Sequence, residues 1–577
     1  MSLFLNWFIV LICFNILIHF ATMDKRTLDS NIRKAVIVSS VSISFFLAAF
    51  SWWAIIPLGA TVSTAFIFAI SAGAIQFSAF MFCDDAAKIS NVVMIWVFAF
   101  IVNFYTGHAF FNHKEISSVL QPIEVSEPMF TEIQEQEQRL VPIEIARDKQ
   151  SKVINGRLED GTMISSMYKL DFNSTIIQVV KGEKVYVTPL TWNGSFKWFF
   201  NDYDVIGYAV TKASDPDAPT KLVVKNKDGS DISFKITEDG YLGTNLARHI
   251  HAELDNSLII QNSFMMLDEE EYPYYVSYIV KSVAGIGNYA ADGVVVTDPQ
   301  TKEVIRYKND EIPSFIEASA AESTLITNIN NWGEYRKGYW ESWGSSIKIK
   351  ATSYNNKSEL FFIDAKGTLN GLAYFTGLEG DSSQNKSLSG MLFIDPITLK
   401  SYIYYPESES QNEMAVLDSV KASLGNLSDK WTPTQPIPYR IFGDVDVWMT
   451  PIIPINGTSR KIEAYAYTKI FSTEKSAWDV KLSNAMSKLL TNSSDSGLIS
   501  NSKAVTEQLV GNVRTIYFIN GSAYLTIHGY DKVIECNHET NVECRGVMLE
   551  QLLDINTIEK TEKEVVLVDF NENPLKQ

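Results

Sequence analysis

The chain contains 577 residues, and its 67 acidic and 49 basic residues give a formal net charge of −18 at pH 7. No stripe of Lys and Arg with interleaved aromatic residues occurs beyond its first fifth, so nucleic acid, whose phosphates require a basic surface, is excluded as the expected partner. The hydrophobic fraction of 46% averages an intensely apolar first fifth and a polar remainder.

Four apolar segments in the first fifth of the chain have the length of transmembrane helices. They cover residues 3–21, 35–56, 60–82 and 90–111, and none contains Lys, Arg, Asp or Glu. At about 1.5 Å of rise per residue, each could cross a hydrocarbon layer of about 30 Å. The sequence therefore predicts an N-terminal four-helix transmembrane segment over residues 1–112, with the lipid bilayer as a partner.

The charges between these segments predict their orientation. The first connection carries Lys25, Arg26, Arg33 and Lys34, whereas the second carries no charge. Because basic residues are enriched on the cytoplasmic side, the first connection is expected inside. A multi-pass integral membrane protein is then expected, with its N-terminus and its large C-terminal part on the outer side of the cytoplasmic membrane.

Residues 113–150 are predicted to be a stalk or linker. The phrase Pro-Ile-Glu occurs at residues 122–124 and again at 142–144, and residues 132–138 are dominated by Glu and Gln. Such a composition indicates a spacer or one short exposed helix, without a core of its own.

From about Gly156 onward, short β-branched and aromatic runs alternate with Asp, Gly, Asn and Pro. Runs such as residues 176–180 and 274–280 predict strands joined by hairpins. Residues 412–424, 477–490 and 503–510 have apolar residues at spacings of three and four, which predicts helices. Strand blocks with covering helices indicate a β-rich α+β architecture.

An internal repeat supports a modular organisation. Residues 294–307 and 391–404 both show a strand, an Asp-Pro-x-Thr turn and a second strand, in register at an offset of 97 residues. We therefore expect repeated small antiparallel sheet-plus-helix modules, divided between residues 151–340 and 341–500.

The last segment, residues 501–577, is predicted to form a small β-rich, barrel-like domain. Asn520 and Gly521 separate two apolar runs, which is a strong hairpin signal. Cys536 and Cys544 lie on either side of a polar turn, so a disulfide across this hairpin is expected. Free thiols and a metal site that includes His538 are the alternatives, although a fourth metal ligand is missing.

The Asp-Pro-x-Thr hairpin after an aromatic strand resembles the PepSY type of module, which is found in extracytoplasmic proteins of bacteria. Residues 198–203, 241–250 and 332–340 resemble blocks in a family of uncharacterised bacterial and phage membrane-anchored proteins. These resemblances imply cystatin-like sheet-plus-helix modules outside the cytoplasm. They bring no known catalytic residues.

One group of aromatic residues is a candidate contact site. Trp332, Tyr335, Tyr339, Trp340 and Trp343 are spaced so that they would line much of one helical face. Core packing is the ordinary explanation of such a pattern, and an aromatic platform for a glycan or a protein partner is the functional one.

No motif for catalysis, cofactor binding or metal binding is found. The chain has no Gly-x-Ser-x-Gly, no phosphate loop and no His-Glu-x-x-His. The favoured hypothesis is therefore a binding or scaffolding protein that contacts another cell-envelope protein or associates with itself. An envelope hydrolase acting on glycan or peptide is the alternative, because the distances between carboxylates cannot be read from a sequence.

Overall fold

The computed structural model describes residues 108–570 with interruptions. The segments outside the described part are 1–107, 133–137, 158–160, 201–203, 256, 285–286, 310, 345–347, 355–356, 359, 381–386, 442–444, 456–460, 473–474, 492–505, 520–521, 531, 538–546, 548–551, 562–563 and 571–577.

The predicted fold class and membrane location require correction. In the part of the chain that the structure describes, strands dominate, and no helix is both long enough and apolar enough to span a membrane. The first three predicted transmembrane segments lie outside the described residues, as does most of the fourth. The end of the fourth belongs to a ten-residue helix that begins at Ala109, because His108 is extended and its side chain accepts a hydrogen bond from the Phe110 amide.

The described helices alternate with groups of strands. The helices are α1 (Ala109–Ser118), α2 (Ile143–Val153), α3 (Ile164–Met167), α4 (Ser195–Phe200), α5 (Leu246–Glu253), α6 (Glu322–Tyr335), α7 (Tyr339–Gly344), α8 (Glu413–Leu424) and α9 (Leu482–Thr491).

The strands follow the same chain order. They are β1 (Ile123–Glu124), β2 (Tyr168–Leu170), β3 (Ile176–Val180), β4 (Glu183–Trp192), β5 (Tyr208–Lys212), β6 (Lys221–Val223), β7 (Ile259–Leu267), β8 (Pro273–Ala284), β9 (Asn288–Thr297), β10 (Val304–Tyr307), β11 (Ile349–Ala351), β12 (Ser353–Tyr354), β13 (Lys357–Ser358), β14 (Phe361–Asp364), β15 (Leu372–Gly380), β16 (Gly390–Ile394), β17 (Ser401–Tyr404), β18 (Trp431–Pro433), β19 (Ile437–Ile441), β20 (Val445–Pro454), β21 (Ala464–Lys469), β22 (Ala477–Asp479), β23 (Thr506–Ile519), β24 (Ser522–Ile527), β25 (Val533–Asn537), β26 (Leu552–Thr561) and β27 (Glu564–Phe570).

Four modules, each a helix followed by a mainly antiparallel sheet, make up most of the described chain. Sheet 1 has the order β2-β4-β5-β6 with β3 also on β4, and sheet 2 has the order β10-β9-β8-β7. Sheet 3 has the order β1-β17-β16-β15-β11 with β14 also on β15, and sheet 4 has the order β18-β20-β21-β22 with β19 also on β20. Helices α2, α5, α6 and α8 precede sheets 1 to 4 respectively. The predicted boundary between residues 340 and 341 falls inside α7.

The two hairpins predicted to be copies have the same hydrogen bonds. Asp298 accepts bonds from the amides two and three residues later, and Asp395 does the same for Ile397 and Thr398. The position four residues after each aspartate has positive φ, 74° at Lys302 and 58° at Leu399. An aspartate side chain that mimics a backbone turn therefore joins the last two strands of sheets 2 and 3.

Sheets 1 and 4 form a second pair of copies that the sequence interpretation missed. Residues 185–190 read Val-Tyr-Val-Thr-Pro-Leu, and residues 447–452 read Val-Trp-Met-Thr-Pro-Ile. In both sheets the third strand pairs with the second strand through its first half and with the first strand through its second half. The fourth strands, Tyr-Ala-Val-Thr-Lys and Ala-Tyr-Ala-Tyr-Thr-Lys, also match.

The modules stack because successive sheets share hydrophobic cores. Sheet 1 and α5 pack on one face of sheet 2, and the other face of sheet 2 packs with α6 on sheet 3. The second face of sheet 3 packs with α8 on sheet 4, which in turn packs with α9 on the C-terminal strands. Helix α2 covers the remaining face of sheet 1, where Ile453 of sheet 4 also contacts it. The first and fourth modules therefore meet.

Part of the predicted stalk belongs to this core. Strand β1 pairs in parallel with β17 at the edge of sheet 3. The Phe130 ring lies 5.2 Å from the rings of both Phe375 and Phe393. Val141 is fully buried. The polar composition around these residues gave no sign of their burial, because their partners, such as β17, Phe375 and Tyr186, lie far along the chain.

The C-terminal strands close into a five-stranded barrel with the order β23-β24-β25-β27-β26. The helix predicted over residues 503–510 is wrong where the structure describes it, because residues 506–510 begin β23 and pair with β26. The pairing of Ile519 with Ser522 places β23 and β24 on either side of the Asn-Gly pair. Cys536 on β25 is fully buried and disulfide-bonded. Its expected partner, Cys544, lies outside the described residues, so that pairing stays a prediction.

The turn at Asp395 provides a test of the repeated hairpin. Replacing Asp395 by Ala leaves the amides of Ile397, Thr398 and Leu369 without their acceptor in a site where Asp395 is 4% exposed. We expect the free energy of unfolding in urea to fall by about 3 kcal/mol. The D395N variant keeps an acceptor and should lose less. Equal losses for D395A and D395N would contradict this role of the turn.

The disulfide can be mapped directly. Peptides from the non-reduced protein should include one that joins Cys536 to Cys544, and mass spectrometry should show it split by reductant. Recovery of Cys544 as a free thiol would refute the predicted pairing.

Candidate functional site

The five predicted contact aromatics do not line one helical face. Helix α6 ends at Tyr335, and Gly338, with φ of 105°, turns the chain before α7 begins at Tyr339. Trp332 is half-buried against the core between sheets 2 and 3. The Arg336 guanidinium lies over the Trp332 ring, 5.1 Å from the ring centroid. The side chain of Trp343 lies outside the described residues, so its role stays a prediction.

Tyr335, Tyr339 and Trp340 lie beside Phe110 and Phe111 of α1. We call these five residues the aromatic ridge. The Phe110 ring meets Tyr339 edge-on at 5.1 Å and Trp340 edge-on at 5.6 Å. Tyr335 and Tyr339 stack at 6.3 Å. Trp340 is 71% exposed, and Phe110 and Phe111 are 37% and 43% exposed. The ridge therefore presents large apolar surface to solvent.

A second exposed aromatic group lies on α4. Phe196, Phe199 and Phe200 are 79%, 62% and 76% exposed. Together with Leu242 they border a shallow depression. The sequence interpretation used this stretch only as part of a resemblance.

A central cleft opens where the four modules meet, and no part of it was anticipated from the sequence. Its volume is about 350 Å³, which lies at the small end of the range for ligand pockets. Its lining comes from α2, all four modules and the connection that leads into α6. The lining residues used below are Arg139, Arg147, Tyr186, Phe264, Tyr278, Glu317, Glu322, Phe362 and Tyr374.

One end of the cleft is basic and is built around Tyr186. The Arg139 Nε donates to the Tyr186 hydroxyl at 2.6 Å, and this hydroxyl donates to the Val141 carbonyl at 2.8 Å. The Arg147 Nε donates to the Thr175 hydroxyl at 3.4 Å. Burial lowers the pKa of Arg147. Both guanidinium groups thus donate to neutral oxygens, and Glu144 acts on both of them electrostatically.

The other end is acidic and is built around Glu317. Its Oε1 accepts a hydrogen bond from the Val179 amide at 2.6 Å. Burial raises the pKa of Glu317 to about 7, although the Val179 amide and Lys184 act in the opposite direction. Lys184 itself is paired with Asp364. Glu317 is therefore a largely buried carboxyl that titrates near neutrality.

Aromatic pairs separate the two ends. Phe264 and Tyr278 from sheet 2 lie 6.0 Å apart, and Phe362 and Tyr374 from sheet 3 lie 5.4 Å apart. Phe362 and Tyr374 are directly opposite each other in the pairing of β14 with β15. The cleft therefore combines an apolar middle with charged ends.

A second carboxyl with a raised pKa lies outside the cleft. The Ser174 hydroxyl lies within hydrogen-bond distance of both Asp171 and Glu238. A hydroxyl has one proton to donate, so one carboxyl must supply the other proton. Burial raises the pKa of Glu238 to about 7, which makes Glu238 that donor. We interpret the pair as a structural contact, because both carboxyls are hydrogen-bonded to the Ser174 hydroxyl.

The chemistry of a two-carboxylate hydrolase requires an acid of raised pKa facing a second carboxylate across a substrate. Glu317 has the raised pKa, and Glu322, an exposed residue at the start of α6, also lines the cleft. The hydrolase alternative therefore stays a hypothesis. Within the described residues, no group of three or more His, Cys, Asp or Glu side chains is arranged for a metal ion.

Comparisons with known proteins give no identity. No protein-family model and no curated protein matches the chain. One similar solved structure is a protein of unknown function from Dyadobacter fermentans DSM 18053, with 10% identity and a TM-score of 0.16 over 72% of this chain and 95% of that one. Another is the polysaccharide lyase Uly1, with 7% identity and a TM-score of 0.15 over 68% and 77%. Likenesses this weak carry no argument about fold or function.

The protonation of Glu317 predicts a pH-dependent stability. Its pKa in the folded chain, about 7, exceeds the ordinary 4.5, so the stabilisation is complete below about pH 4.5 and is lost as the pH rises through 7. The E317Q variant keeps the acceptor for Val179 and should be more stable than the natural chain at pH 8, by on the order of 2–3 kcal/mol. Near pH 4 the two should be equal.

Urea denaturation at pH 4.5, 6 and 8 measures this difference. Glu311→Gln is the matched control, because Glu311 is an exposed glutamate in the same connection. If E317Q and E311Q show the same pH profile, the account of Glu317 is wrong.

Proposed function

We propose that the chain is a non-enzymatic binding or scaffolding protein that acts through contact with another protein. The aromatic ridge is the observation that carries this proposal. Its rings are ordered against one another, yet Trp340 keeps 71% of its surface exposed. Exposed clusters of large aromatic side chains are enriched at protein contacts, where burial of each ring contributes strongly to affinity.

The charge of the chain favours a partner of opposite sign. With a net charge of −18, the protein attracts a basic surface and repels an acidic one. We therefore propose a partner with an apolar contact area surrounded by Lys and Arg. Self-association, which would bring two such acidic chains together, is the less favoured arrangement.

The resemblance to PepSY-type modules also stays a proposal. The recurring unit of a helix followed by an antiparallel sheet supports it, as do the matched aspartate turns of sheets 2 and 3.

The ridge can be tested by truncating its most exposed ring. A partner captured by crosslinking with the full chain should bind W340A at least tenfold more weakly, because a central aromatic contact contributes about 2 kcal/mol or more. Calorimetry with the purified partner measures the change. The affinity should also fall as the salt concentration rises.

Phe196→Ala is the matched control, since Phe196 is 79% exposed on a different module. It should bind the partner as the natural chain does. Equal binding by W340A and F196A would reject the ridge as the contact surface. Concentration-dependent dimer formation that W340A abolishes would instead favour self-association.

A further inference from the structure

The central cleft is lined by Arg139, Arg147 and Glu317, whose direct hydrogen-bond partners are neutral, although Glu144 acts electrostatically on both arginines and Lys184 acts on Glu317. Glu317 is held by the Val179 amide, Arg139 by the Tyr186 hydroxyl and Arg147 by the Thr175 hydroxyl. None of the three forms an ion pair among the described residues, whereas the adjacent Lys184 and Asp364 pair with each other. Charges at partly buried positions are normally paired, because removing them from water is costly.

These charges are separated along the cleft. Arg139 and Arg147 both lower the pKa of Tyr186, which lies in sheet 1, and Glu144, which does not line the cleft, acts on it in the opposite direction. Glu317 and Glu322 both raise the pKa of Tyr278 in sheet 2 and of Tyr374 in sheet 3. The cleft is therefore electrostatically dipolar.

We propose that the central cleft binds a small zwitterionic ligand with an apolar middle, the chemistry of a short free peptide. The ligand's ammonium lies against Glu317, and its carboxylate lies against Arg139 and Arg147. Arginine suits a carboxylate because its planar group offers paired donors. The aromatic pairs contact the apolar side chains and attract the ammonium through their ring faces.

This site is independent of the proposed protein contact. The ridge is formed by α1 and the segment at the end of α6 and α7, and none of its five residues lines the cleft. Loss of partner binding in W340A should therefore leave ligand binding in the cleft unchanged, so the two proposals can fail separately.

The dipeptide Leu-Phe, its N-acetyl form and its C-terminal amide test the charge requirement on the unaltered full chain. We expect Leu-Phe to bind in calorimetry and to raise the Tm, and each blocked form to bind about tenfold more weakly, because each lacks one charge-assisted contact. No binding of Leu-Phe at millimolar concentration would overturn the proposal. Equal binding of all three probes would overturn it as well, since the contact would then be apolar only.

Variants assign each end of the ligand. The E317Q variant should bind Leu-Phe about tenfold more weakly and the N-acetyl form with unchanged affinity. The R147Q variant should bind Leu-Phe about tenfold more weakly and the C-terminal amide with unchanged affinity. Glu311→Gln is the control and should bind all probes normally. If E317Q weakens the N-acetyl form as much as Leu-Phe, Glu317 does not contact the ammonium.

The pH gives a further readout. Glu317 must be ionised to hold an ammonium, and the α-amino group of Leu-Phe is still mostly protonated at pH 7. Leu-Phe should therefore bind more tightly at pH 7 than at pH 5.5, and E317Q should lose this dependence. The charged groups that face Glu317 are Lys184 on β4 and Asp364 on β14, which are paired with each other. A dependence that persists in E317Q would assign it to another group and reject Glu317 as the ammonium partner.

Discussion

The structure depends on sheets that are apolar on both faces. In sheet 3, Tyr374 packs into the core shared with sheet 2, whereas its neighbour Phe375 packs into the core shared with sheet 4. In sheet 4, Trp448 packs into the core shared with sheet 3, whereas Met449 packs into the core shared with the C-terminal strands. Neighbouring residues of a strand point to opposite faces, so such a sheet must be covered twice. Each module therefore buries apolar surface against its neighbours.

This constraint explains why successive sheets pack directly on one another. A helix covers part of each sheet, and the next sheet covers the rest, as in repeat proteins whose units bury a continuous core. The ends of the series meet as well, since α2 and Ile453 share the outer face of sheet 1. The Arg139 amide also donates to the Tyr439 hydroxyl of sheet 4 at 2.8 Å. Residues far apart in the chain are thereby brought around one centre.

The central cleft is a product of that closure. Its apolar middle comes from side chains of sheets 2 and 3, and its charges come from α2, the start of α6 and the segments that lead into these two helices. Glu317 is partly buried because sheet 1 supplies the Val179 amide and covers it, and burial then raises its pKa to about 7. A buried carboxyl whose pKa is raised in this way, and which forms no ion pair among the described residues, is a candidate functional group.

The amino-acid sequence by itself determined the local features. Alternating apolar residues and turn residues indicated a β-rich chain, and the Asp-Pro-x-Thr phrases indicated the two matched hairpins, because a turn needs only its own few residues. The sequence also contains the evidence that sheets 1 and 4 are copies, because residues 185–189 and 447–451 share the pattern Val-x-x-Thr-Pro, but the prediction did not include this repeat. The apolar first fifth led to a membrane prediction that the described part of the chain does not support.

Only the tertiary structure decided which surfaces are buried and which residues meet. The stalk residue Phe130 is core because its partners Phe375 and Phe393 come from a sheet formed much later in the chain. The predicted aromatic face is divided because Gly338 turns the backbone between two helices. Arg139 and Glu317 face one cleft because four sheets close around it. Such contacts depend on the packing of whole modules, and no local pattern encodes them.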